Sequence, residues 1–386
     1  MKQLNTLHLS SLGLWDLKGG KGRVSTYLPL KGMVNRGYRV TFISSNKNAI
    51  TENHNGILVK KIWCPFQKGR LFVKFLFHPI IDTIFLVHGI MEARKNKPDI
   101  VYAHCMHTAL AAFIIAKIYK AKFVIRLYGI GKGALNKWRH FPSYMMIKRC
   151  LKIPADAYIL TNDGTSADLF ARKLGVPDDK IFFLKNGIQK KINLIPDEKL
   201  RNELAPHGEK IVISVSRLTN WKQVDLIIKM MPELLKQMPV RLLIIGDGDQ
   251  REMLQTLAEE LGVKEHVLFL GAKKQDEIYQ YLNVSDAFVS MNLLSSMSNP
   301  VYEAMICGVP VVALNTGATT DLIHDGENGI ILERKDMDRL PYVVGSLLQD
   351  ENKRRLLGKN AQEYMYKTWP TWEERIEQEI TILENL

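Results

Sequence analysis

Residues 210–247 read KIVISVSRLTNWKQVDLIIKMMPELLKQMPVRLLIIGD. Two short runs, KIVISVSRL and VRLLIIGDG, are almost wholly apolar, and a stretch of helical spacing separates them. A strand that is apolar on both faces must be covered on both faces, which is the habit of parallel sheets built from strand–helix–strand units. The alternation continues through HVLFLG, DAFVSMN and GVPVVALN. Nearer the N-terminus it runs through TLHLSS, YRVTFISS, DIVYAHC, KFVIRLYG and AYILTN, with GRVSTYLPLKGMVNRG and HTALAAFIIAKIYKA as helices between them. It pauses over residues 186–210, NGIQKKINLIPDEKLRNELAPHGEK, and begins afresh at Ile211. A chain of 386 residues is too long for one ordinary core. The expected fold is therefore α/β, with two doubly wound Rossmann-like domains facing a cleft: 1–190 and then 191 onward, with 190–205 as the linker.

Composition narrows the class. Hydrophobic residues make up 46% and charged residues 24%, as in a globular protein. Cys64, Cys105, Cys150 and Cys307 lie far apart without a CxxC pair, so they read as buried thiols in a reducing, cytoplasmic setting. The opening MKQLNTLHLSS has no signal-peptide pattern. The most apolar stretch, 71–90, is interrupted by Lys74, His78, Pro79 and Asp82, which argues against a spanning helix. Charge is divided unequally. Residues 1–190 carry 31 Lys+Arg against 10 Asp+Glu, a net of +21, and residues 191–386 carry 22 against 30, a net of −8. Two halves of opposite sign suggest different partners, and the basic half suits an anionic surface or a phosphorylated substrate. A nucleic-acid role is not expected, because aromatics do not interleave with the cations and no helix-turn-helix or zinc pattern appears.

In open α/β sheets, ligands bind where loops leave the carboxyl ends of the strands. Three such loops could hold a phosphate. In WDLKGGKGRVS (15–25), Gly19, Gly20 and Gly22 allow close backbone approach, although the spacing is not that of the dinucleotide fingerprint. In SVSRLTNWKQVDLI (214–227), Arg217 and Lys222 place two permanent cations ahead of a helix, enough to neutralise a diphosphate without a metal. In NTGATTDLI (315–323), Gly317, Ala318 and Thr319 precede another helix. Close by, SSMSNPVYEAM (295–305) sets Glu303 at the start of a helix, where a carboxylate could accept two hydroxyl hydrogen bonds or merely stabilise the helix dipole.

Taken in order, these pieces resemble the retaining nucleotide-sugar glycosyltransferases of the GT-B fold, family 4. SRLTNWKQVDLII is similar to the family's donor loop, RLLIIGDGDQREML to its strand-turn-helix, and SNPVYEAMICGVPVVALNTGATTDLIHDGENGIIL to its signature run. WPTWEERIEQ is similar to the closing helix that crosses back to the first domain, so the resemblance divides the rest of the chain into 191–365 and 366–386. The resemblance implies that Arg217 and Lys222 hold the donor diphosphate and that Glu303, as the second acid of the family's E-x7-E motif, binds the ribose hydroxyls. Ser298, Asn299 and Pro300, with Gly317, Ala318 and Thr319, would line the phosphate and sugar pocket, and Gly19 and Gly20 would close over the donor from the other domain.

Two departures stand out. Ser295 replaces the motif's first acid, and a hydroxyl bonds a sugar without charge assistance, about half as strongly. Tyr128 stands where the family carries His, leaving His104 and Arg126 as the nearest polar alternatives for sugar or acceptor contacts. The implied activity is metal-independent hexosyl transfer, without a cofactor, from a UDP- or GDP-sugar to a glycan or lipid-linked acceptor of surface polysaccharide or lipopolysaccharide. The basic first domain would make peripheral contact with an anionic membrane. An inactive nucleotide-sugar binder and an epimerase of the same architecture are the rival readings.

Overall fold

The computed structural model describes residues 3–11, 24–46, 48–64, 77–130, 141–190 and 195–386. These fall into two compact units, one running to Gly187 and including Trp372–Leu386, the other Ile188–Thr371. The division thus lies at Gly187/Ile188 rather than 190/191, and the closing segment begins at Trp372 rather than 366. The cause is local: the Ile188 N–H donates to Pro370 O at 2.9 Å, and Ile188 bridges Thr371.

In the first unit, Asn5–Ser10 (β1), Arg39–Asn46 (β2), Ile50–His54 (β3), Ile57–Trp63 (β4), Ile100–His104 (β5), Lys122–Leu127 (β6), Ala157–Thr161 (β7) and Ile181–Leu184 (β8) form one sheet. The order is β3-β4-β2-β1-β5-β6-β7-β8. All pairs are parallel except β3–β4. That hairpin was not expected, since ITENH is too polar to read as a strand. Its Asn55-Gly56 turn has both residues at positive φ, the conformation two-residue hairpin turns require. Helices Val24–Asn35 (α1), His78–Lys95 (α2), Ala109–Tyr119 (α3), Phe141–Lys152 (α4) and Ala167–Lys173 (α5) complete the unit with the C-terminal helix Trp372–Glu384. Side chains alternate across the sheet with period two. Leu7, Leu9, Val101, Ala103, Phe123 and Ile125 pack with α2, α3 and α4, while Phe42, Tyr102, Val124 and Ile159 pack with α1 and the C-terminal helix. Among the described residues, no helix is long and apolar enough to cross a membrane; the apolar 71–90 stretch yields α2 from His78 onward.

The second unit holds Lys210–Val215 (β9), Val240–Ile245 (β10), Val267–Gly271 (β11), Ala287–Ser290 (β12), Val311–Leu314 (β13) and Ile330–Leu332 (β14). All are parallel, in the order β11-β10-β9-β12-β13-β14. Its helices are Glu198–Leu204 (α6), Val224–Lys229 (α7), Met231–Leu235 (α8), Arg251–Glu260 (α9), Gln275–Asn283 (α10), Asn299–Ile306 (α11), Leu340–Gln349 (α12) and Glu351–Thr368 (α13). Helix α6 lies in the expected linker and is started by the Asp197 side chain, which accepts from the Leu200 N–H at 3.1 Å. Ile211, Ile213, Leu243 and Ile245 face one core; Val212, Leu242, Ile244 and Val289 face the other. The chain builds outward from β9 on one side and resumes at β12 on the other. The order therefore reverses between β9 and β12, the switch point at which open α/β sheets bind ligands.

Candidate functional site

The loop after β9 carries Arg217 and Lys222. Glycine fixes its course from behind: a Cβ on Gly246 would lie 1.8 Å from Ser216 O, and one on Gly248 would lie 2.1 Å from Leu218 O. The loop after β10 can press this closely only because both residues lack a side chain. Leu218 then donates to Asp247 O at 3.0 Å, and a single 3₁₀ turn, Asn220–Lys222, leads into α7. Gln223, the hinge between turn and helix, sits at φ +47°, a left-handed conformation unusual for a residue with a side chain. Arg217 is exposed and has no ion pair among the described residues. Thr219 Oγ1, Trp221 Nε1 and Gln223 Oε1 are buried without a hydrogen-bond partner. Each such group costs about 1–3 kcal/mol. Three in one loop mark a surface shaped for something beyond its own side chains.

The loop after β12 meets this one directly, through the Leu293 N–H and Trp221 O at 2.9 Å. Asn292 folds it: its side-chain amide donates to Ser295 O, and its Oδ1 accepts from the Leu294 N–H at 3.1 Å. Nothing in the sequence reading singled out Asn292. Ser295 is 3% exposed, with its Oγ accepting from the Met297 N–H at 3.0 Å, so the hydroxyl serves a turn of its own chain. Ser298, Asn299 and Pro300 are half-buried and open α11, with Pro300 in the first turn.

Glu303 is not at the start of that helix, as the sequence suggested, but in its second turn. Helix formation begins at Asn299, where proline needs no amide partner. A dipole role is therefore set aside. The carboxylate is 7% exposed and accepts one hydrogen bond at Oε1, from Gln275 Nε2 at 2.9 Å. Burial pushes its pKa up to about 7, against the opposing pull of the Gln275 hydrogen bond. Gln275, the first residue of α10, was not anticipated either, since it comes from a different loop of the sheet.

The third loop follows β13. Gly317 has φ +54° and is exposed, and Ala318 is partly so. Thr319 does not line a pocket. It is fully buried, and its Oγ1 donates to Thr316 O at 2.6 Å and accepts from the Ser296 N–H at 3.0 Å. The segment it opens is one 3₁₀ turn, Thr319–Asp321, rather than the expected helix. Thr316 Oγ1 donates to Asn292 O at 2.6 Å, so the loop after β12 is hydrogen-bonded to both of the others.

In the first unit, Gly19, Gly20 and Gly22 lie outside the described residues. Arg126 cannot contact a substrate: it is 1% exposed, and its Nη1 donates to Leu127 O, Ile159 O and Thr161 Oγ1. The expectation failed because a cation in the middle of a strand points into the covered face. His104, 3% exposed, lies behind Tyr128, whose hydroxyl is 2.7 Å from its Nδ1; its Nε2 is 2.9 Å from His8 Nδ1. Burial, with the nearby Arg126 charge, depresses the His104 pKa to about 3. Burial and His104 push His8 down as well. Both imidazoles are thus biased towards the neutral form, and of the three polar groups named for the end of this sheet only Tyr128 reaches the surface.

Two family matches tile the chain: Glycosyltransferase Family 4 over residues 19–191 and Glycosyl transferases group 1 over residues 196–364. The N-acetyl-alpha-D-glucosaminyl L-malate synthase of Bacillus anthracis is 24% identical, over 90% of this chain and 90% of its own. A GDP-mannose-dependent alpha-(1-6)-phosphatidylinositol monomannoside mannosyltransferase of Mycolicibacterium smegmatis is 31% identical over 44% of this chain and 47% of its own. Among solved structures, Anabaena Alr3699/HepE in complex with UDP-glucose superimposes with a TM-score of 0.77 over 100% of both chains at 19% identity, a shared fold.

Proposed function

The chain belongs to glycosyltransferase family 4, the glycosyl transferases group 1 of GT-B fold, and on that premise we propose that it transfers a hexose with retention from a nucleoside-diphosphate sugar. The second unit binds the donor. Arg217 and Lys222 face the diphosphate, one cation on each side of the turn, and supply the charge a departing nucleoside diphosphate needs. These fixed cations do the work a divalent metal would otherwise do. The backbone at Gly317 and Ala318 approaches the phosphates, and the Glu303 oxygen not held by Gln275 accepts the ribose hydroxyls. Ser295 leaves the donor sugar without the usual carboxylate, so sugar recognition falls to neutral hydrogen bonds. UDP is the favoured nucleotide, supported by the UDP-glucose complex of the Anabaena neighbour.

The acceptor is a glycan or lipid-linked saccharide of a surface polysaccharide or lipopolysaccharide, taken up by the basic first unit at the face of an anionic membrane. The phosphatidylinositol mannoside substrate of the mycobacterial relative supports that class. The observation that carries the reading is the set of linked loops at the β9/β12 switch point, with Arg217 exposed, Lys222 half-buried and three buried polar atoms without a partner. A thermal-shift panel of UDP- and GDP-sugars tests it, since a donor at 100 times its Kd stabilises by about 2.7 kcal/mol. Stabilisation by one donor, with slow hydrolysis of it, is the expected result. If no nucleotide sugar stabilises the chain, the reading fails; binding without any hydrolysis or transfer would instead favour an inactive nucleotide-sugar binder.

A further inference from the structure

Helices α2, α3 and α4 form one layer against the sheet of the first unit, and their outward side departs from an ordinary protein surface in two ways. The first is charge. Across the three helices the acids are Asp82 and Glu92 alone. Both are buried and engaged within the fold, Asp82 by His78 and Glu92 by Lys60 and Lys95. The exposed charged side chains on these helices are therefore all cationic, Arg94, Lys117 and Lys152 among them. Ordinary surfaces intersperse both signs. The second is apolar exposure. On α2, Ile80, Val87 and Met91 are exposed at helical spacing, on the side opposite buried Phe85, Gly89 and Ala93. Leu110 and Ile118 of α3 and Phe141 of α4 are exposed on the same layer. In the second unit, by contrast, exposed Met253, Tyr342 and Leu356 come one each from three helices. Large apolar side chains gathered on one outward side mark an interaction surface. A recess deepens it: an apolar cavity of about 560 Å³ lies between the three helices, bordered by exposed Thr83, Leu110 and Lys152.

We propose that the outward side of the α2–α4 layer docks on an anionic lipid bilayer. Ile80, Val87, Met91, Leu110 and Ile118 enter the boundary between headgroups and acyl chains, and the cations meet the lipid phosphates. Charge complementarity selects this occupant. A side with exposed cations and no exposed acid fits an anionic surface, and the half of the chain that contains it carries a net +21. A purely polar polyanion would leave the apolar side chains in water. Fluid acyl chains can fill an irregular recess, whereas a rigid partner would need a matching protrusion. The helices run antiparallel to the strands they connect, so Ile80, Leu110 and Phe141, near their N-termini, lie towards the carboxyl edge of the sheet. Docking therefore brings that edge to the lipid surface. The docking stands on the surface alone; its use for collecting a lipid-linked acceptor rests on the transferase reading.

The test is co-sedimentation of the full chain with vesicles of phosphatidylcholine alone and of equal parts phosphatidylglycerol and phosphatidylcholine. Binding should be at least tenfold tighter to the anionic vesicles and should weaken with added salt. Lys117→Ala with Lys152→Ala should lower it about thirtyfold, at about fivefold per cation. Val87→Glu with Met91→Glu should weaken it at least tenfold, because two charges would enter the acyl boundary. Leu356→Glu, at an exposed position of α13 in the second unit, should leave it unchanged. Should the Val87 and Met91 variant fail to fold, Ile118→Glu probes the same side from α3. No preference for the anionic vesicles, undiminished binding by a folded variant of this side, or an equal loss with Leu356→Glu would each overturn the proposal. So would a parental dimer in light scattering that Val87→Glu with Met91→Glu dissociates, since a second copy would then cover the layer. Thermal shift by UDP-glucose on the same samples reports the donor site separately, so failure of docking is distinguishable from failure of the transferase reading.

Discussion

The two units share one architecture and place their polar chemistry in opposite ways. In the second unit the strands bury one polar side chain among the described residues, Ser214 in β9, and every candidate group sits on a loop or helix beyond them. In the first unit polar residues run inside the strands. Thr6, His8 and Ser10 alternate along β1, His104 ends β5, and Arg126 lies in β6, all buried. Arg126 is neutralised by Glu379 on the C-terminal helix, which lies 3.8 Å from Arg126 Nε and 2.8 Å from Arg375 Nη2, with the Tyr102 hydroxyl donating to it at 3.4 Å. Burial alone would raise the Glu379 pKa, yet Arg375 and Arg126 hold it below its ordinary value. The comparison teaches that a doubly wound sheet can be fastened by ionic groups on one of its faces, at the expense of making those groups unavailable for chemistry.

The strongest way to break that comparison is Glu379→Ala. Two guanidiniums, Arg126 at 1% and Arg375 at 1% exposure, would lose their counter-charge. Removing one partner of a buried ion pair costs about 3–5 kcal/mol, and urea denaturation followed by circular dichroism should show a loss of that order. No loop substitution in the second unit should approach it. A loss below 1 kcal/mol would mean that water reaches the cluster, and the contrast between the units would dissolve.

Lys222→Ala probes the other side. Removing a group that stabilises developing charge in the transition state lowers turnover by about 10²–10³-fold. Because Lys222 lies on a loop outside the apolar cores, the denaturation midpoint should barely move. A variant that transfers sugar at the parental rate would remove Lys222 from the diphosphate site.

These two substitutions also mark how far the sequence could be read. Strands β9 to β13 were legible because parallel strands covered on both faces are continuous apolar runs, while three-residue β14 was too short to read; Arg217, Lys222 and Glu303 were legible because charge beside such a run stands out. Gln275 and Asn292 were not, since their roles depend on which loops the sheet order brings together. In the first unit β1, β2, β5, β6 and β7 were found, whereas polar β3, alternating β4 and four-residue β8 were missed. Arg126 was misread for a physical reason: a charge within a strand says nothing about which face it occupies or which distant helix neutralises it. The alternative dipole role of Glu303 failed by one turn, because the helix starts at Asn299, earlier than the acid suggests.

Glu303→Gln sharpens the comparison, since Glu303 is a buried acid in the second unit without the ionic partners that Glu379 enjoys. Its pKa in the folded chain is about 7 against an ordinary 4.5, so it contributes stability fully below pH 4.5, and that contribution is lost as pH rises through 7. At pH 8 the buried charge is uncompensated. The Gln variant should then be the more stable protein by up to about 3 kcal/mol, with the difference closing as pH falls towards 4.5. Donor binding should show the opposite ranking. The parental chain loses affinity as pH drops below 7 and the acceptor carboxylate is protonated, while the variant binds weakly at every pH. A Gln variant less stable than its parent at pH 8 would show that the carboxylate is already solvated or paired.

The smallest expected effect is at Tyr128, where the buried polar ladder of the first unit reaches the surface. Tyr128→Phe removes the hydroxyl that lies 2.7 Å from His104 Nδ1 and leaves that nitrogen without its phenolic partner. Because Tyr128 is partly exposed, water can replace the hydroxyl, so the stability loss should be near 1 kcal/mol, the low end for an unpaired polar group. Kinetics decide what else the phenol does. If it only caps the His8–His104 pair, kcat/KM should follow the small change in stability and stay within a factor of two. If it also contacts a substrate of the first unit, kcat/KM should fall about tenfold, the loss expected for one neutral hydrogen bond of about 1.4 kcal/mol. Unchanged kinetics would leave the sheet end of the first unit a purely structural device.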